Sequence, residues 1–68
     1  MKPVSGKYLA KLAEARGWVL LRSKGSHYHY AQAGRPGIVT IPIHGNHDLK
    51  PRTQRNIMCA LGLTEADL

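Results

Sequence analysis

Three short β-forming runs crowd the middle of this chain, and the brevity of their connections restricts the fold more than any other feature. They are Trp18–Arg22 ("WVLLR"), Ser26–Gln32 ("SHYHYAQ") and Ile38–Ile43 ("IVTIPI"). The connections are "SKG" and "AGRPG", the second with two glycines and a proline in five residues. Parallel neighbours need a crossover of roughly a dozen residues, so runs this close can pair only as an antiparallel meander. In the third run, Val39, Ile41 and Ile43 share one face, and Ile38, Thr40 and Pro42 share the other. Pro42 has no N–H for a ladder, so this run lies at a sheet edge or is leaving the sheet.

Helical patterns flank the meander. "SGKYLAKLAEARG" sets Tyr8, Leu9, Leu12 and Ala13 on one stripe, with Ser5 to cap the start and Gly17 to allow a left-handed stop. A second helix is expected from Pro51 to about Leu61, with Ile57, Met58 and Leu61 inward and Gly62 at its end. Within "NIMCAL", Cys59 reads as a small apolar residue on the buried side. Thr64 followed by Asp67 resembles the cap of one more turn. The order is α-β-β-β-α, and both helices are expected on one face of a three-stranded antiparallel sheet. That is an α+β fold with the layout of a double-stranded-RNA-binding domain, formed by residues 1–68 as a single domain.

A chain of 68 residues can bury one modest core but cannot house a deep pocket with its own lid. An active site is therefore expected on an open surface, working on a large, extended substrate. One cysteine excludes an internal disulfide and a four-cysteine zinc site. No signal-peptide pattern opens the chain, and its apolar runs, Trp18–Leu21 among them, are too short to span a membrane. A soluble protein of a reducing compartment, the cytoplasm, is the expectation, with no membrane partner.

Net charge is +6, and its placement matters more than its size. From Arg22 to Arg55, six basic residues (Arg22, Lys24, Arg35, Lys50, Arg52, Arg55) stand against one acid, Asp48. That bias points to a polyanion, nucleic acid before anionic membrane. "KGSHYHY" (Lys24–Tyr30) sets His27 and His29 on one strand face and Tyr28 and Tyr30 on the other. Val39 and Ile41 would draw the tyrosines toward the helices and leave the histidines on the open face. The pattern does not fix that phase, because a bulge after Gly25 would reverse it. An imidazole titrates near neutrality, and RNA carries its own nucleophile in the 2′-OH, so a base beside cations suffices for cleavage. "HGNHD" (His44, His47, Asp48) is a weak metal pattern that fits no standard zinc spacing; no metal is expected. There Asp48 is read as organising the loop, and His44 as a substrate or backbone contact. "PRTQR" (Pro51–Arg55) combines a helix N-terminus with two arginines and is the leading phosphate anchor.

Taken together, the sequence resembles the HicA family of small toxins. The likeness runs through "GW" (Gly17, Trp18), Arg22 before "KGSH" (Lys24–His27), "VTIPIH" (Val39–His44), "DLKPRTQRNI" (Asp48–Ile57) and "ALGLTEADL" at the end. The family implies a ribosome-independent mRNA endoribonuclease of a toxin–antitoxin pair, with one catalytic histidine at the start of the second strand. Carried onto this chain, that residue is His27. Some members carry the histidine one position later, where this chain has Tyr28, which keeps His29 as a substitute. Arg52 stands where the family often has glycine. The expected partners are mRNA and a HicB-type antitoxin, with no cofactor. Arg22, Lys24, Ser26, Lys50, Arg52 and Arg55 are the RNA-binding candidates, and His29 and His44 the accessory ones. A non-catalytic RNA-binding module of the same fold is the rival reading.

Overall fold

The computed structural model describes residues 1–68. Its elements are α1 (Gly6–Ala15), β1 (Val19–Lys24), β2 (His27–Ala31), β3 (Val39–Pro42), α2 (Pro51–Leu61) and a closing 3₁₀ turn, Glu65–Asp67. The strands form one antiparallel sheet in the order β1-β2-β3, so the expected α-β-β-β-α meander is present. β3 is an edge strand, and Pro42 ends it, where the missing N–H does least harm.

Local chemistry accounts for the ends of both helices. The Ser5 hydroxyl accepts the Tyr8 N–H at 3.0 Å, and Gly17 follows the Arg16 cap with φ +90°. α2 starts on Pro51 and stops at Gly62, whose φ of +77° is the left-handed conformation that a side chain resists. β1 and β2 are joined by Gly25 and Ser26 alone, since Lys24 pairs with His27. Gly25 takes φ +58°, as the first central residue of a type II′ hairpin turn must.

Both helices cover the sheet face that carries Tyr30 and Ile41. There Leu9, Ala10 and Ala13 of α1 meet Ile57, Met58 and Leu61 of α2, with Val4, Trp18 and Leu63 filling the margins. Trp18 lies before β1 rather than in it, buried in the core with the Arg35 guanidinium 5.7 Å from its ring centroid. Gly6 touches β3 so closely that a Cβ would fall 1.9 Å from the Pro42 carbonyl oxygen, which fixes where α1 meets the sheet.

One expectation is overturned. Cys59 is exposed, because the inward stripe of α2 is Gln54, Ile57, Met58 and Leu61. That i, i+3, i+4, i+7 spacing leaves position 59 about 150° round the helix from the middle of the inward stripe. The place that the apolar pattern left open on this stripe is taken by a polar residue. Gln54 is 1% exposed; its Oε1 accepts the Val4 N–H at 3.0 Å and its Nε2 donates to the Lys2 carbonyl at 2.7 Å. Leu49 N–H adds a bond to the Val4 carbonyl at 2.8 Å, and Ser5 bridges Asp48. The N-terminal arm is thereby clamped against the segment that leads into α2.

Candidate active site

The open sheet face carries the histidines. Residues directly opposed across antiparallel strands point to the same side. Tyr28 pairs with Ile41 and Tyr30 with Val39, so these four face the helices. His29 pairs with Thr40 and His27 with Pro42, and these face away. The phase that the sequence left undecided is therefore the one with imidazoles outward. His27 is exposed and His29 half-buried.

The cations of β1 join them through an irregularity. Leu20 opposes Tyr30, and regular pairing would set Leu21 against His29 and send Arg22 toward the helices. A bulge between Leu20 and Arg22 absorbs one residue, so Arg22 opposes His29 and Lys24 opposes His27. Two rungs result on the open face: Arg22–His29–Thr40 and Lys24–His27–Pro42. The two histidines stand two residues apart along β2, roughly 7 Å at the rise of an extended strand. Neither Arg22 nor Lys24 is ion-paired; the acids that are engaged, Glu65 and Asp67, are held by the Met1 amino group and Arg16.

The rings are held differently. His29 Nδ1 lies 2.9 Å from the Thr40 hydroxyl, which can donate to the bare nitrogen or accept from its N–H. Either arrangement leaves Nε2 without a partner, as a proton donor in the first case and an acceptor in the second. His27 has no such partner and stands at the hairpin tip beside Ser26. The Ser26 carbonyl accepts the Ile43 N–H at 2.7 Å, tying the chain that leads into His44 to that tip. His44 is exposed, and its carbonyl closes a short turn by accepting the His47 N–H at 3.0 Å. Asp48 contributes its backbone to the bridge with Ser5. His44, His47 and Asp48 do not converge: no three His, Cys, Asp or Glu side chains come together as a ligand set.

Not every candidate meets on this face. Arg22, Lys24, Ser26, His27 and His29 gather there or at its tip. Arg52 and Arg55 belong to α2, which packs on the other side of the sheet, and Lys50 caps that helix. Arg55 instead lines a shallow hollow with Met58, Cys59 and Leu63. Thr40 is the site residue that the sequence did not single out. Alternation had put it on the proline side of β3, but only the β2–β3 register shows that it meets His29.

Compared with protein families, residues 6–66 match the one described as "HicA toxin of bacterial toxin-antitoxin". No curated protein matches the chain.

Proposed function

The chain belongs to the HicA toxin family, toxins of bacterial toxin–antitoxin pairs, and from that premise we propose that it is an endoribonuclease acting on mRNA. The observation that carries this reading is the pair of outward imidazoles on β2, each opposed by a cation of β1.

Single-stranded RNA lies across the open face with one phosphate between the two rungs. His27, unencumbered at the tip, takes the proton of the ribose 2′-OH. That oxygen attacks the adjacent phosphorus, and the bond from phosphorus to the 5′ oxygen breaks. The leaving oxygen receives a proton from His29 Nε2, giving a 2′,3′-cyclic phosphate and a free 5′-OH. A separation of roughly 7 Å suits two groups that work on opposite sides of one phosphate. Arg22 and Lys24 offset the charge that gathers on the phosphoryl oxygens. The nucleophile comes from the substrate, so no step calls for a metal. Lys50, Arg52 and Arg55 are cations outside this face, suited to a more distant stretch of the RNA. An antitoxin of the HicB type restrains the toxin by covering the open face.

The test is cleavage of single-stranded RNA by the purified protein in EDTA, with His27→Ala alongside. Cleavage that yields cyclic phosphate ends and is lost in a folded His27→Ala is expected. Undiminished cutting by that variant removes His27 from the chemistry. Tight, salt-sensitive binding without cutting by the wild type makes the protein an RNA-binding module instead.

A further inference from the structure

On the helix side of the sheet, a groove of about 470 Å³ runs between α1 and β2, separate from the open face. Tyr28 and Tyr30 line it from β2, Lys7 and Lys11 from α1, and Ile43 and Gly45 from the segment after β3. A second hollow of about 300 Å³ continues from the same two lysines toward Asn46. Neither lysine is paired with an acid. The acid in the groove, Glu14, already accepts the Tyr30 hydroxyl at 2.9 Å. The groove thus offers the Tyr28 ring, half-buried and packed on the core, beside two free ammonium groups one helical turn apart.

We infer that this groove is a nucleotide subsite: a base of single-stranded RNA stacks on Tyr28 while Lys7 and Lys11 hold the phosphates beside it. The inference rests on the RNA-cleaving role proposed above. Its volume lies in the range of ligand sites, and a fixed ring beside paired cations is the combination that grips single strands without reading a full sequence. The position also fits. Ile43 and Gly45 flank His44, and Ile43 is bonded to Ser26 at the tip that carries His27. The Ile43 lining of the groove is therefore joined to the end of the sheet where His27 stands. A strand that leaves its phosphate at His27 can turn past the hairpin tip and drop a neighbouring base into the groove. Cleavage preference is then set partly by how well that base stacks.

The experiment measures binding of a short mixed-sequence single-stranded RNA by fluorescence anisotropy, in the His27→Ala background so that the probe stays intact. With Lys7→Gln and Lys11→Gln combined, the dependence of log K on log salt should fall by about 1.4, two contacts at about 0.7 each for a single strand. Tyr28→Leu should weaken binding roughly tenfold, the scale of one lost base–aromatic stack. With His27 restored, the same change should redistribute the cleavage sites. Lys2→Gln, one charge lost outside the groove, gives the baseline for general attraction. Should Tyr28→Leu impair folding, the two exposed lysines still decide the matter. Unchanged affinity and salt slope in the lysine variant, while the wild type cuts RNA, overturns the subsite and leaves the nuclease standing. Loss of antitoxin binding with RNA affinity intact also overturns it, and assigns the groove to an acidic protein segment. A wild type that neither binds nor cuts RNA removes both proposals together.

Discussion

Arg22 stands directly opposite His29 across the β1–β2 ladder, and it does so because one residue is absorbed between Leu20 and Arg22. The same slip sets Lys24 opposite His27. Bulges bend a strand and re-aim the side chains beyond them, and here the effect is to turn two cations onto the histidine face. The bulge also matches the turn, since Gly25 and Ser26 can close the hairpin only if Lys24 meets His27.

Arg22→Ala should therefore reduce RNA cleavage strongly while hardly touching stability. Every residue of β1 is exposed, so the fold should lose no more than about 0.5 kcal/mol. Removal of a group that stabilises transition-state charge typically lowers the rate on the order of 10²-fold. Arg22→Lys should recover part of that loss. Single-turnover rates together with a urea melt check both halves, and a large drop in melting stability would make Arg22 a structural residue instead.

Gln54 gives a stability prediction independent of function. Replaced by leucine, it would leave the Val4 N–H and the Lys2 carbonyl without their present partner. An unsatisfied buried group costs about 1–3 kcal/mol, so Gln54→Leu should destabilise despite the added apolar area. Hydrogen exchange at Val4 should accelerate more than exchange in the β2–β3 ladder, because the arm can open without the sheet.

The alkaline limb of stability should carry the signature of Tyr30. Burial first, then its hydrogen bond to Glu14 and the nearby charge of that carboxylate, push this hydroxyl up to about 12. The folded state holds the proton more tightly than the unfolded chain, whose value is 10.0. Stability is thus complete below pH 10 and is lost as pH climbs from there toward about 12. Tyr30→Phe should flatten that fall and remove the tyrosinate signal that rises toward about pH 12 in an ultraviolet titration of the folded protein. A phenylalanine variant with the same alkaline profile would refute the assignment.

At the acid end the sign reverses. The Asp67 carboxyl is held below its usual range, first by the Thr64 N–H that it accepts and further by Arg16. The stability it contributes is present above its unfolded value of 3.8 and is lost as pH falls through the lower folded value. Asp67→Asn should loosen the closing 3₁₀ turn at neutral pH as acid does in the wild type. Exchange at the Thr64 amide reports both.

Much of this fold is legible in the residues alone, and the exceptions have physical causes. α2 matches its expected span because proline and glycine mark its two ends chemically. Tyr28 and Tyr30 turn inward because Val39 and Ile41 need partners on the helix side. The bulge is hidden, since Leu20 and Leu21 are alike and nothing in "VLLR" says which is the extra residue. Gln54 is hidden for a different reason: its partners are backbone groups some fifty positions away, and a polar residue on a helix stripe carries no periodic signal. Cys59 misleads because apolar neighbours on both sides resemble a buried face when the angular phase is not fixed.

Thr40 offers the sharpest test of how His29 takes part. Valine replaces the hydroxyl with a methyl of similar shape, on an exposed edge-strand residue, so the sheet should persist. The His29 ring would lose its 2.9 Å partner and with it the contact that fixes its orientation and tautomer. If His29 protonates the leaving oxygen, Thr40→Val should lower kcat several-fold, leave KM for RNA nearly unchanged and alter the pH profile. Thr40→Ser, which restores the hydroxyl, should recover most of the rate. A positioning residue must show that rescue, because a merely structural threonine would not distinguish serine from valine by the oxygen alone. Equal rates for wild type, valine and serine would move the second proton transfer from His29 to the other accessory histidine, His44, or to water.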